Sequence, residues 1–347
     1  MKLEERINAF ALLGGIIRGT LSGETNDHSS GLNSLIFSQV TDNPWFTPEN
    51  VRMALEAIGN ELTYGNLIKW TADYPALLKE NNPLNIGVVM AGNIPLAGFH
   101  DLLSVLISGN RIIAKTSSKD STLINRIGNI LSSINPDFRN LISFTDGVLK
   151  DFDMIIATGS DNSARYFEYY FGRYPHIIRK NRNSVAVLEG NETGVDLANL
   201  GIDVFSYFGL GCRNVSKVFL PCGYDINNMV MGWDSFSGVI NHVRYANNYD
   251  FNKAVWMVNM EKFTDGGFVL LKESRELSSP VSAVFYEYYD SEENLKDKLA
   301  LLKDKIQCIT GYGYTPFGKS QFPELWDYAD NADTLEFLLK KNQAILM

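Results

Sequence analysis

From Leu84 onward the chain alternates short apolar runs with longer amphipathic ones, and this rhythm constrains the fold more than any other feature. Strand-like runs cover 86–90, 111–115 and 153–157. Helix-like runs follow each of them at 96–108, 120–133 and 162–171, the first closed by Gly109. Strands separated by helices of this length cannot pair as hairpins. They pair in parallel through right-handed crossovers, and both faces of the sheet are covered. The expected class is therefore α/β with a parallel, doubly wound sheet. Such sheets bind ligands beyond the carboxyl ends of their strands.

The flanks extend this picture. Residues 1–80 read as helices, with Thr47 as an N-cap and Pro48 at the first helical position. A second α/β region begins near residue 190. It has a helix at 195–207, strands at 216–220, 268–272 and 281–286, and a helix at 294–303. A closing helix is expected over 331–342. These runs divide the chain into 1–188, 189–325 and 326–347, within the length that 347 residues suggest for about two domains. A net charge of −9 argues against broad binding to nucleic acid or to acidic membranes. Three cysteines without a paired spacing and four scattered histidines indicate neither a disulfide framework nor a zinc site. No apolar run approaches the roughly 18 residues of a membrane span, and the N-terminus lacks a signal-peptide pattern, so a cytoplasmic location is expected.

Chemistry is expected where residue types suited to it meet loop ends. Cys212 lies in Gly209-Leu210-Gly211-Cys212, ahead of the apolar run 216–220. Glycine lets backbone approach a substrate closely, so this thiol is a candidate nucleophile; alone, a cysteine is more often a small core residue. Glu189 ends the buried-looking run 185–188 and is either a base or a strand-end pair. Asn93 follows Gly92 after the first strand, where its amide either caps the next helix or donates to an oxyanion. Lys115 ends the second strand, where a ribose or phosphate would lie, although such a lysine is commonly just solvated. Gly159 and Ser160 form a short turn compatible with phosphate. Arg179, Lys180 and Arg182 form a basic cluster that usually marks a solvated face, with phosphate binding as the alternative. Neither GxGxxG nor GxxxxGK[ST] occurs.

Read in order, 91–95, Lys115, Gly159-Ser160, 187–190, Cys212 and 276–281 resemble the successive motifs of the aldehyde dehydrogenase superfamily. Within it, they resemble the acyl-CoA reductase branch typified by the fatty acid reductase of bacterial luminescence. The resemblance spans about 84–286. It implies a Rossmann-like cofactor domain and a catalytic α/β domain, with the active site between them. It also implies Cys212 as nucleophile, Asn93 as oxyanion donor and Glu189 as general base. Lys115 would bind the adenosine ribose, Gly159 and Ser160 would lie beside the pyrophosphate, and Glu276 would hold the nicotinamide ribose. Three positions beyond Lys115, NAD-preferring relatives often carry a glutamate. Ser118 stands there, and without a carboxylate to repel a 2′-phosphate NADPH is the expected cofactor, with NADH as the alternative.

The implied reaction reduces an acyl-CoA, or another acyl thioester, to the aldehyde through an acyl-cysteine. One alternative is a hydrolytic aldehyde dehydrogenase, in which Glu189 activates water. Another is an acyl-binding subunit that is non-catalytic or works only with a partner. The chain is shorter than typical members, and the protruding hairpin that usually builds their oligomer is not identified. A homo-oligomer and an acyl-transferring partner protein therefore both remain open.

Overall fold

A computed structural model describes residues 1–24, 28–79 and 82–345, in two compact units. The first contains Met1–Lys180 and Glu324–Met347; the second contains Asn181–Pro323.

The first unit opens with four helices, α1 (Leu3–Leu21), α2 (Ser29–Asp42), α3 (Pro48–Glu61) and α4 (Tyr64–Ala72). Thr47 caps α3 by accepting the Asn50 N–H, and Pro48 supplies the preset φ of the first turn. The alternating segment then gives β1 (Asn85–Val89), α5 (Phe99–Ile107), β2 (Arg111–Lys115), α6 (Thr122–Ile134), β3 (Ile142–Thr145), β4 (Met154–Thr158), α7 (Asp161–Phe171) and β5 (His176–Arg179). All five strands are parallel, in the order β3-β2-β1-β4-β5. The strand order reverses at β1, which creates a topological switch point between β1 and β4. Ile86 and Val88 of the central strand are completely buried, together with Leu102, Leu103, Leu106 and Ile107 of α5. β3 and β5 are short and only partly buried, which is why their sequence signal is weak.

The second unit runs β6 (Asn183–Val187), α8 (Gly194–Phe205), β7 (Val215–Pro221), α9 (Asn227–Gly232), α10 (Val243–Val258), β8 (Thr264–Asp265), β9 (Leu270–Glu273), β10 (Ala283–Tyr289), α11 (Glu292–Leu302) and β11 (Ile306–Thr310). Its strand order is β11-β6-β7-β10-β9-β8, and only the edge pair β8–β9 is antiparallel. Alternation sends Val218 and Leu220 into the core under α8. Val185, Val187 and Phe219 face the opposite core beneath α11.

The units part at Lys180 and Asn181, eight residues before the division expected at 188/189. β6 hydrogen-bonds to both β7 and β11, so the strand ending before Glu189 belongs to the second sheet. The C-terminal α12 (Thr334–Ile345) is no separate element, since it packs against α5 of the first unit.

Within the basic cluster of 179–182, Arg179 is not solvated. Arg179 and Asp101, each about 4% exposed, form a salt bridge at 2.7 Å, and Arg179 also donates to Thr334 Oγ1 at 2.8 Å. This pair joins β5, α5 and the start of α12. Lys180 pairs with Glu168 on the surface, and Arg182 donates to the Ile306 carbonyl. Among the described residues no helix is long and apolar enough to cross a membrane.

Candidate active site

In the first unit the expected cofactor residues collect at one edge of the sheet. Asn93 lies in the loop after β1, Lys115 ends β2, Ser118 follows it, and Gly159 and Ser160 follow β4. In a parallel sheet these are all carboxyl ends, and the β1 and β4 loops flank the switch point. Ser160 caps α7 by accepting the Ser163 N–H, so the first turn of an eleven-residue helix opens beside it. A Cβ on Gly159 would meet that of Ser163 at 2.8 Å, and a Cβ on Gly92 would overlap the Ser117 hydroxyl. Lys115 Nζ donates to the carbonyls of Asp146 and Gly147, which draws the loop after β3 to the same edge.

Asn93 does not cap the following helix. Helix α5 starts only at Phe99 with Gly98 as its cap, and the exposed Asn93 stands on the intervening loop. That loop has its own anchor. Leu96 adopts φ 57°, and its N–H donates at 2.6 Å to Asp120, a residue expected inside a helix but found buried just before α6. Burial pushes the Asp120 carboxyl up to about 7, against the lowering effect of that hydrogen bond.

In the second unit Cys212 is exposed and forms no disulfide. It sits at the tip of a tight turn in which the Asn214 N–H donates to the Gly211 carbonyl at 3.0 Å. The Asn214 side chain, 2% exposed, accepts the Gly211 N–H at 2.8 Å and donates to the carbonyls of Asp203 and Ser206 at the end of α8. Ser184 Oγ donates to the Cys212 carbonyl at 3.0 Å. Just upstream, Tyr207, Phe208 and Gly209 all have left-handed φ, at 50°, 57° and 77°. Aromatic residues in this region are rare and cost of order 1–3 kcal/mol each, so surrounding structure must hold them. Phe208 lies against His242, ring centroids 4.3 Å apart, and Tyr207 is buried. Asp203 is fully buried and accepts the N–H groups of Gly318 and Ser320, while burial raises its pKa.

The sheet does not bring Glu189 to Cys212. β6 and β7 are parallel, with Ser184 opposite Val215 and Val187 opposite Phe219. Cys212 precedes the amino end of β7 and touches Ser184, whereas Glu189 follows the carboxyl end of β6. Glu189 lies five residue steps beyond Ser184, a span of roughly 16 Å for extended chain. The parallel register therefore sets Glu189 and Cys212 at opposite ends of the β6–β7 pair. The backbone N–H groups of Glu189 and Gly190 are instead capped by Glu192.

Glu276 is placed differently. It is exposed on the loop between β9 and β10, and this loop is fastened to the start of β7. Ser216 Oγ donates to the Leu277 carbonyl at 2.7 Å, and the buried Lys217 donates to the Ser274 carbonyl at 2.9 Å. The loop bearing Glu276 is thus held at the end of the sheet that carries Cys212. Cys222 lies at the far end of β7, where its hydrogen bond to Asp290 raises the thiol pKa. Cys308 is buried on β11. Asn214, Ser184 and Asp203 are components that the residue types alone did not single out; a buried asparagine two residues after Cys212 has no periodic signature.

This two-sheet architecture is the aldehyde dehydrogenase fold. An NAD+ complex of an aldehyde dehydrogenase from Mycobacterium tuberculosis superposes with a TM-score of 0.61 at 13% identity, covering 87% of this chain and 72% of that one. An acetylating aldehyde dehydrogenase from Geobacillus thermoglucosidasius also gives 0.61, at 12% identity, covering 89% and 76%. In sequence, 147 residues are 22% identical to the long-chain acyl-protein thioester reductase of Aliivibrio fischeri. That match spans 38% of this chain and 30% of the relative's length. No protein-family model matches.

Proposed function

We propose that this chain is a nicotinamide-dependent oxidoreductase that reduces an acyl thioester, such as an acyl-CoA, to the aldehyde, with NADPH as the preferred cofactor. The observation that carries the reading is the exposed Cys212 on its clamped turn, at the end of the sheet to which the Glu276 loop is fastened. The thioester reductase activity named for the relative supports the substrate class.

In the proposed reaction the Cys212 thiolate attacks the thioester carbonyl, since thiolate rather than thiol is the competent nucleophile. The Asn93 amide is assigned as donor to the resulting oxyanion, a contribution worth roughly 10²–10³ in rate in comparable sites. Collapse of the tetrahedral adduct breaks the bond to the departing thiolate and leaves an acyl-Cys212. Lys115, Ser118, Gly159, Ser160 and Glu276 would hold the nicotinamide cofactor. Bound there, that cofactor would supply the hydride needed to take acyl-Cys212 to the aldehyde, with Cys212 leaving as thiolate. The carboxyl-end clustering at β1, β2 and β4 supports a dinucleotide there.

The distance of Glu189 from Cys212 favours this reading over the hydrolytic alternative, which needs a base to activate water against the acyl-cysteine. Thioester reduction needs no such water.

Intact mass after incubation with a medium-chain acyl-CoA, without nicotinamide, tests the acyl-cysteine. A gain of one acyl group that is absent in Cys212→Ala is expected, and aldehyde should appear on adding NADPH. Equal loading of Cys212→Ala would overturn the assignment. Free acid in place of aldehyde would favour a hydrolase. Loading only in the presence of an acyl-carrying protein would identify a partner-dependent enzyme.

A further inference from the structure

We propose that Asn214 is the positioning residue of the nucleophile, a role that rests on the reading of Cys212 as acyl acceptor. The last carbonyls of any helix lack intrahelical partners. At the end of α8 the Asn214 amide supplies them, donating to Asp203 at 3.1 Å and to Ser206 at 2.8 Å, with Val204 at 3.4 Å. Its oxygen meanwhile accepts the Gly211 N–H, and its own backbone N–H closes back on the Gly211 carbonyl. Gly211 and Asn214 are thus joined twice, and Cys212 occupies the tip between them.

This arrangement needs both a donor and an acceptor on one short, planar side chain, which asparagine provides. Aspartate has the shape without the donors, and serine cannot reach both the helix end and the turn. The left-handed run at 207–209 gives the clamp a purpose. These three residues swing the chain from α8 into the cysteine turn, and the Asn214 bonds to 203, 206 and 211 bracket them on both sides. Without the clamp the strained run relaxes and Cys212 loses its fixed direction. A thiolate that must meet a bound carbonyl along one line is far more sensitive to this than one that attacks a small reagent approaching freely from solution.

The test compares the parent protein with Asn214→Ala, and with Asn214→Ser should the alanine variant fail to fold. Three readouts are taken: hydrogen exchange over 206–216, acyl loading of Cys212 from octanoyl-CoA, and residue-resolved alkylation of Cys212 and Cys222 by iodoacetamide. The expected result is exchange at the Gly211 amide at least tenfold faster while β7 stays protected. Loading should slow at least thirtyfold, with alkylation of both cysteines within threefold of the parent. A purely structural role would change alkylation as much as loading, or open β7, and would overturn the proposal. Unchanged exchange across 206–216 would also overturn it, whether or not the parent loads. A parent that exchanges as expected but does not load any acyl group would instead count against the proposed function.

Discussion

Asp120 offers the most quantitative test of how the first unit is built. Its carboxyl is 5% exposed, and one oxygen accepts the Leu96 N–H while the other has no hydrogen-bond partner. Ionising it there is costly, and its pKa is about 7 against an ordinary value of 3.8. The folded state therefore keeps a proton that the unfolded chain loses above about pH 4. Stability should fall by about 1.4 kcal/mol for each pH unit between those two values and level off above pH 7. Between pH 5 and pH 7, where the folded carboxyl itself begins to ionise, this amounts to about 2 kcal/mol. Asp120→Asn keeps the acceptor for Leu96 but cannot ionise, so it should remove this slope. Urea unfolding of both proteins at pH 5, 6, 7 and 8 measures the difference. The variant should gain on the parent by about 2 kcal/mol as pH rises from 5 to 7. A gap between the two that stays constant with pH to within about 0.5 kcal/mol would refute the idea that Asp120 is held protonated.

Three further outcomes follow from the geometry. Arg179→Met leaves the Asp101 carboxylate buried without its partner and should cost about 3–5 kcal/mol in urea unfolding; the double variant with Asp101→Leu should recover most of it. Glu189→Gln should leave acyl loading and aldehyde formation within about twofold of the parent, because roughly 16 Å separates the carboxylate from the thiol's end of the sheet; a tenfold loss would place it back in the reaction. Lys115→Ala should weaken binding of NADPH roughly tenfold or more, the worth of one charged hydrogen bond; cofactor fluorescence titration reads this directly.

The parallel α/β class was legible because continuous apolar runs mark strands buried on both faces, as in β1 and β4, and amphipathic runs mark the helices between them. β3, β5 and β11 escaped notice. They are four or five residues long, and the first two are only partly buried. One placement follows from topology alone. In a β-α-β crossover, the residue ending the first strand and the residue opening the second necessarily lie at opposite ends of a parallel pair. Glu189 and Cys212 have that relation, so their nearness along the chain never implied nearness in space.

By itself, then, the sequence determined the alternation of strands and helices, and with it a sheet whose strand ends carry Asn93, Lys115 and Gly159-Ser160. It also determined the glycine-flanked setting of Cys212. These are local properties, written in the spacing of apolar residues and the absence of Cβ atoms. Tertiary structure decided which strand belongs to which sheet, which side of the second sheet holds the thiol, and that Arg179 is spent on a buried ion pair. It alone turned Asn214 into a clamp and Asp120 into a buried acid. Burial and hydrogen-bond partners come from residues far apart in the chain, and no local pattern encodes them.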